Sequence, residues 1–184
     1  MIERELKIPV ADLDGPRQRL EAAGARRVHP PLDELNLLFD TPDGRLTAAG
    51  EVLRVRQRGE VSVLTFKGEA SYRGQIKERR EIELEVASRE RLVELFEALG
   101  FELRLRYDKV RETWRLGGVE VVLDHTPMGD FVELEGPAET LEGAARRVGL
   151  DPAAAVAGSY VSLWQEHRRR HPELDLGRDM VFEP

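Results

Sequence analysis

The chain contains no cysteine among its 184 residues. This absence excludes disulfide bonds, zinc–thiolate sites and thiol nucleophiles, and it is typical of a protein from a reducing compartment. Any bound metal must therefore be held by oxygen or histidine ligands. The sequence also lacks an apolar run of about 18 residues, the length of a membrane span, and its first residues include glutamates rather than an apolar leader. We expect a cytoplasmic protein with no membrane partner.

Basic residues are outnumbered, with 28 lysines and arginines against 35 aspartates and glutamates, which gives a formal net charge of -7. Because affinity for nucleic acid depends on surplus positive charge, we expect no nucleic-acid partner. Glycine-rich phosphate loops, GxSxG elbows and HExxH helices are also missing, which excludes several common enzyme classes. Charged residues make up 34% of the chain, above the roughly 25% of typical soluble domains.

Alternation of charged and apolar residues recurs along the chain and predicts about eight β-strands. Residues 2–8, for example, place Glu3, Glu5 and Lys7 on one face of a strand. Strands are predicted at 2–8, 34–40, 52–58, 61–68, 78–87, 101–116, 118–124 and 130–135, and helices at 10–24, 88–100, 140–149 and 153–167. Residues 41–50 are predicted as a turn and 68–76 as a polar loop. Short turns between neighbouring strands favour antiparallel pairing and an α+β fold.

The charged strand faces have two interpretations. In an ordinary antiparallel sheet they face solvent, and opposite charges form weak cross-strand pairs. In a closed sheet they face inward and form a tunnel of mixed charge, which is costly unless the charges are paired, solvated or matched by a ligand. A triphosphate with a divalent cation is such a ligand, since basic side chains bind phosphate oxygens and carboxylates bind hard cations. Strand parity alone leaves both interpretations open.

Several motifs favour the inward arrangement. They are Glu3-x-Glu5-x-Lys7, FDTPDGRL (39–46), LRVRQRG (53–59), LTFKG (64–68), RREIELEV (79–86), Lys109-x-Arg111, VLD (122–124) and GDFVELE (129–135). In this order, over roughly residues 1–165, they resemble the CYTH family, also called triphosphate tunnel metalloenzymes. The resemblance implies an eight-stranded antiparallel β-barrel with flanking helices, formed by residues 1–168. Residues 169–184 are expected to be a C-terminal tail.

The resemblance also implies roles for the charged residues, position by position. Metal ligands for Mg²⁺ or Mn²⁺ would be Glu3, Glu5, Glu133 and Glu135, assisted by Asp124. The triphosphate would be bound by Lys7, Arg54, Arg56, Lys67, Arg79, Lys109 and Arg111, of which Lys7, Arg54 and Lys67 are the predicted catalytic residues. Glu81 and Glu83 would support them. Leu38 departs from the family pattern, because many relatives have tyrosine at this position.

The predicted partner is a small-molecule triphosphate, and the nucleophile decides the reaction. Attack by water would make the protein a triphosphatase acting on inorganic triphosphate, thiamine triphosphate or a nucleoside triphosphate, which is the preferred interpretation because it requires less of the site. Attack by a ribose 3'-hydroxyl would make it a class IV adenylate cyclase that forms cyclic AMP and pyrophosphate. A non-catalytic polyphosphate- or nucleotide-binding module is a third alternative, disfavoured by the presence of all four metal carboxylates. A homodimer is compatible with the sequence.

Overall fold

Eight long strands close into an antiparallel β-barrel in the computed structural model, which describes residues 1–183. The order around the barrel is β1-β9-β8-β7-β2-β3-β4-β6, and pairing of β1 with β6 closes it, while the short β5 adds to β6. The strands are β1 (Ile2–Val10), β2 (Arg26–Asp40), β3 (Val52–Arg58), β4 (Val61–Lys67), β5 (Ser71–Arg73), β6 (Ile76–Val86), β7 (Glu102–Leu116), β8 (Val119–Thr126) and β9 (Gly129–Glu135). The predicted α+β fold with an eight-stranded barrel is confirmed.

Five α-helices flank the barrel: α1 (Asp14–Ala22), α2 (Arg45–Ala48), α3 (Arg89–Ala98), α4 (Ala138–Arg147) and α5 (Tyr160–Arg170). The main hydrophobic core joins buried residues of α1 and α4, such as Leu20 and Leu141, to Leu6 and Leu123 on strands β1 and β8. Each fully buried leucine stabilises the fold by roughly 2 kcal/mol. Because this apolar face of the strands faces the helices, strand alternation turns the charged face into the barrel.

The barrel closes at a short seam between β1 and β6. Four residue pairs form the seam, from Ile2 opposite Arg80 to Glu5 opposite Lys77. On its other side β1 pairs with β9, beginning with Glu5 opposite Glu135. Strand β1 therefore holds Glu5 between Lys77 of β6 and Glu135 of β9, and it holds Glu3 opposite Arg79 of β6.

Three predicted boundaries are wrong. Strand β2 begins at Arg26 rather than at residue 34, and the predicted loop 68–76 contains β5 and the first residue of β6. The predicted helix 153–167 is instead a 3-10 turn at Pro152–Ala154 followed by α5. The break has a local cause, because Gly158 has a φ of 112° and Ser159 caps α5 by accepting a hydrogen bond from the Ser162 amide.

The chain returns to the barrel after α5. The Met180 backbone exchanges hydrogen bonds with β7, to the Arg106 carbonyl and from the Asp108 amide, and its side chain is buried. The division at residue 168 stays a prediction. Within residues 1–183 no helix is both long enough and apolar enough to cross a membrane.

Candidate functional site

The barrel interior is a charged tunnel with a cavity volume of about 150 Å³. Eight basic and seven acidic side chains line it, and most of them are largely buried. The basic ones are Lys7, Arg54, Arg56, Lys67, Lys77, Arg79, Lys109 and Arg111, and the acidic ones are Glu3, Glu5, Glu81, Glu83, Glu120, Glu133 and Glu135. The inward arrangement of the charged faces is therefore the correct one of the two interpretations.

Three carboxylates meet where β1 lies beside β9. Glu3, Glu5 and Glu135 each present an oxygen, and these oxygens lie within 4.8 Å of one another. We call these three residues the carboxylate triad. Oxygen ligands at this spacing suit a hard divalent cation such as Mg²⁺ or Mn²⁺.

Basic side chains hold two members of the triad. Lys67 Nζ lies 2.7 Å and Arg79 Nε 3.0 Å from the Glu3 carboxylate, and Lys77 Nζ donates to Glu5 Oε1 at 2.8 Å. Burial alone would raise the pKa of Glu3, but the charges and hydrogen bonds of Lys67 and Arg79 overcome it and lower the pKa to about 2. Glu3 is therefore ionised at neutral pH.

The third member, Glu135, has a different environment, since it forms no salt bridge with any residue in the described range 1–183. Burial raises the pKa of Glu135 to about 8; Arg111 opposes this rise, while the carboxylates of Glu133, Glu3 and Glu5 add to it. A partly buried carboxyl without a salt bridge is a group that a divalent cation would stabilise. The triad thus fits such a cation in both ligand type and charge.

Asp124 and Glu133, both predicted to bind metal, lie outside the triad. Arg111 binds Asp124 through Nε at 2.7 Å and Nη2 at 2.6 Å, and Lys109 Nζ lies 3.1 Å from the same carboxylate. The Tyr160 hydroxyl also donates to Asp124, at 2.6 Å, and Glu133 is bound by Lys7 and Arg111. We call this group the anchor cluster: Lys7, Lys109, Arg111, Asp124, Glu133 and Tyr160. In this arrangement both carboxylates are paired with basic side chains, and their part in metal binding stays a prediction.

The remaining predicted residues line the tunnel on β3, β4 and β6. Arg54 donates to the Tyr107 hydroxyl at 3.2 Å and to Thr65 Oγ1 at 3.3 Å. Arg56 lies 3.3 Å from Glu83, which is 41% exposed at the tunnel mouth, and Lys67 lies 3.1 Å from Glu81. The structure thus brings every predicted site residue into one barrel interior. Among residues 1–183, the carboxylates of Glu3, Glu5 and Glu135 are the ones whose oxygens share a position suited to a metal ion.

Sequence reasoning missed several interior residues. Glu34 is fully buried with both carboxylate oxygens free of hydrogen bonds, 3.6 Å from Lys109 Nζ, and Asn36 beside it is also buried. Lys77 and Tyr107 line the tunnel. Strand parity could have identified them, because residues two or four apart on a strand lie on the same face. Lys77 lies two residues before Arg79, and Tyr107 lies two before Lys109. Glu34 and Asn36 lie four and two residues before Leu38.

A second cavity of about 500 Å³ adjoins the tunnel, and we call it the side pocket. It shares Arg54, Lys67 and Arg79 with the tunnel, and it also shares Tyr107, Ser159 and Tyr160. Its own walls include the apolar residues Leu38, Leu53, Leu105 and Val161. Leu38 therefore lies in the side pocket.

Two known proteins are similar to this chain in sequence. A provisionally named adenylate cyclase of Methanocaldococcus jannaschii is 28% identical over 136 residues, which cover 73% of this chain and 77% of that protein. An adenylate cyclase of Aeromonas hydrophila is 25% identical over 177 residues, 89% of each chain.

Solved structures agree on the fold. A provisionally named adenylate cyclase of Vibrio parahaemolyticus superposes with a TM-score of 0.81 at 20% identity, covering 90% of this chain and 98% of that one. A Hippeastrum protein described as having a dominant triphosphatase activity superposes with a TM-score of 0.65 at 18% identity, covering 89% and 95%. The model of the CYTH domain matches residues 1–146. This chain therefore belongs to the CYTH domain family.

Proposed function

We propose that this protein is a metal-dependent triphosphatase that binds a linear triphosphate in the charged tunnel. The observation that carries the proposal is the carboxylate triad, which lies beside eight basic side chains in one closed barrel. Isolated buried charges would be too costly to maintain, whereas a polyanion and a divalent cation match both sets. The description of the Hippeastrum protein as a triphosphatase is consistent with this proposal.

Catalysis in this proposal depends on positioning and charge neutralisation, which dominate phosphoryl transfer. A divalent cation held by Glu3, Glu5 and Glu135 would neutralise charge on the phosphate oxygens and orient them. Lys7, Arg54 and Lys67 would contact those oxygens as catalytic residues, and Arg56, Arg79, Lys109 and Arg111 would add contacts along the chain of phosphates. Asp124 and Glu133 would keep Arg111 and Lys7 in fixed rotamers before the substrate arrives.

One assay tests the proposal. The purified protein is incubated with inorganic triphosphate, thiamine triphosphate or ATP, together with Mg²⁺, Mn²⁺ or a chelator, and orthophosphate, pyrophosphate and cyclic AMP are measured separately. We expect metal-dependent orthophosphate release, greatly reduced in Arg79→Ala and retained in Arg80→Ala. Arg80 is the matched control because it neighbours Arg79 on β6 but is exposed. Tight triphosphate binding without any product would instead indicate a non-catalytic binding module.

A second candidate function, adenylate cyclase, is favoured by the side pocket. Its apolar walls adjoin the tunnel through Arg54, Lys67 and Arg79, so an organic group attached to a bound triphosphate has space there. In this reaction the ribose 3'-hydroxyl attacks the α-phosphorus and pyrophosphate leaves. Equal amounts of cyclic AMP and pyrophosphate from ATP, without orthophosphate, would establish the cyclase and overturn the triphosphatase.

A further inference from the structure

Lys77 is a buried tunnel lysine with no role in the function proposed above. It lies near the start of β6, opposite Tyr72 of β5 on one side and Glu5 of β1 on the other. Its side chain is 7% exposed, and its Nζ donates to Glu5 Oε1 at 2.8 Å. The Lys77 ammonium group therefore forms a salt bridge with one carboxylate of the triad.

Lys77 is paired differently from the other lysine near Glu5. Lys7 Nζ lies 3.9 Å from Glu5 Oε1, but it is bound more closely by Glu133. Within residues 1–183, Glu5 is the one carboxylate that forms a salt bridge with Lys77. If Glu5 bound a metal ion instead, Lys7 would keep its salt bridge with Glu133, whereas Lys77 would lose its salt bridge with Glu5.

The seam repeats this arrangement two pairs further along, on the same face of the strands. Glu3 lies opposite Arg79 as Glu5 lies opposite Lys77, and Arg79 Nε binds Glu3 at 3.0 Å. Each triad glutamate of β1 thus faces a basic residue of β6. Arg79 is already among the predicted triphosphate-binding residues, and Lys77 occupies the equivalent position beside the next carboxylate.

The backbone around Lys77 is fixed. Seam pairing holds one side of β6, and the β5–β6 hairpin is tied to the segment before α5 because the Gly158 amide donates to the Tyr72 hydroxyl at 3.0 Å. A change of partner by Lys77 would therefore be a movement of its flexible side chain within the tunnel rather than a movement of the strand.

We propose that Lys77 is an internal counter-ion of the metal site: its ammonium group holds Glu5 in the metal-free protein, leaves Glu5 when a divalent cation binds the triad, and then contacts the bound triphosphate. The second half rests on the proposed function, and the first half does not. Lys77 thereby couples the binding of the metal ion to the binding of triphosphate, because metal binding releases the ammonium group that then contacts the triphosphate.

The affinity of the protein for Mn²⁺ without any triphosphate tests the first half. Free Mn²⁺ is measured by electron paramagnetic resonance during titration of the wild type, Lys77→Met, Lys77→Arg and Arg80→Met. We expect Lys77→Met to bind Mn²⁺ about tenfold more tightly, because the ammonium group that the ion must displace from Glu5 Oε1 is gone. Lys77→Arg keeps this charge and Arg80→Met removes an exposed charge outside the tunnel, so both should stay within about twofold of the wild type.

Lys77→Gln provides a second uncharged variant, and thermal unfolding identifies variants that fold. Unchanged or weaker Mn²⁺ affinity in the folded uncharged variants overturns the proposal. Equal tightening in Arg80→Met, or no Mn²⁺ binding in any variant, overturns it as well. Because this titration contains no triphosphate, tighter Mn²⁺ binding by an inactive enzyme would support the role of Lys77 while refuting the proposed function.

Turnover tests the second half. With Mn²⁺ at saturation, Lys77→Met should raise the KM for inorganic triphosphate severalfold, with a smaller change in kcat. A purely structural role would leave this KM unchanged in a folded variant, and that result would overturn the proposed contact with triphosphate.

Discussion

The glutamates in the tunnel have the same side chain but different surroundings. Glu135 lacks a salt bridge among the described residues, whereas Glu34 is surrounded by positive charge. Burial would raise the pKa of Glu34, but Lys109, Arg111, Arg56 and Arg54 lower it to about 2. The environment of each residue therefore predicts what its removal will do.

Replacing Glu135 by glutamine should abolish metal-dependent turnover and leave the fold intact. The glutamine has nearly the same shape, and no ion pair is broken in the metal-free tunnel, but a charged ligand of the triad is lost. Turnover with Mg²⁺ or Mn²⁺ and thermal unfolding measure the two effects. Glu85→Gln, an exposed change on β6, is the control, and normal turnover of Glu135→Gln would refute its role as a ligand.

Replacing Glu34 by glutamine should have opposite effects on stability and on anion binding. Loss of the charge leaves four basic groups less compensated, so we expect the free energy of unfolding to fall by about 3 kcal/mol. Metal-free binding of inorganic triphosphate should tighten severalfold, because a carboxylate that competes for Lys109 is removed. Urea unfolding and calorimetry measure the two quantities, with exposed Glu60→Gln as the control. Weaker triphosphate binding by a folded variant would contradict this prediction.

At the scale of secondary structure, the short helix α2 depends on one side chain. Asp40, at the end of β2, accepts hydrogen bonds from the backbone amides of Thr41, Leu46 and Thr47 and from the Thr47 hydroxyl. Burial would raise the pKa of Asp40, but the Thr47 side chain and these amides lower it to about 2 from 3.8. Ionised Asp40 therefore connects the barrel wall to α2.

Asp40→Asn should destabilise the protein by about 2 kcal/mol at pH 7, because the carboxyl has a lower pKa in the folded state than in the unfolded state. This contribution is complete above about pH 4 and is lost as the pH falls through about 2. The difference in unfolding free energy between wild type and Asp40→Asn should accordingly shrink between these pH values. Guanidinium unfolding at pH 7 and pH 2.5 measures it, with exposed Asp43→Asn as the control, and a constant difference would contradict the assigned cause.

Most strands could be predicted from alternation, and the errors have local physical causes. Strand β5 lies within residues 68–76, which the sequence predicts as a loop because they are mostly polar. Lys77 falls between this predicted loop and the predicted strand 78–87, so the pattern assigns it to neither. The start of α5 was misplaced because alanines in 153–155 favour a helix, whereas Pro152 and Gly158 interrupt it. For the site, parity indicated which charges share a face, but the resemblance was needed to place that face inward. Strand register decides which carboxylates come together at the triad and which pair with basic side chains. This register cannot be derived from the sequence alone.

At the scale of the whole molecule, a barrel filled with charges should be stabilised strongly by its ligands. Any ligand that binds only the folded state raises stability by mass action, by about 2.7 kcal/mol at a hundredfold excess over Kd. We expect Mn²⁺ with inorganic triphosphate to raise Tm by about 5–10 °C in a protein of this size. Differential scanning fluorimetry measures this shift, orthophosphate replaces triphosphate as a control, and a chelator should reverse the metal-dependent part. An unchanged Tm would argue against the tunnel as the binding site.

The four-pair seam between β1 and β6 has a consequence for how function develops during folding. Two of its three charged pairs, Glu3 with Arg79 and Glu5 with Lys77, join a triad ligand to its counter-ion, and Glu5 also lies opposite Glu135 on β9. Strands distant in the chain must therefore meet before any metal-binding position exists. A chain in which β1 has joined β9 while the seam is still open would already bring the triad together without its counter-ions from β6. Capture of Mn²⁺ would therefore report the joining of the first and last strands rather than closure of the barrel.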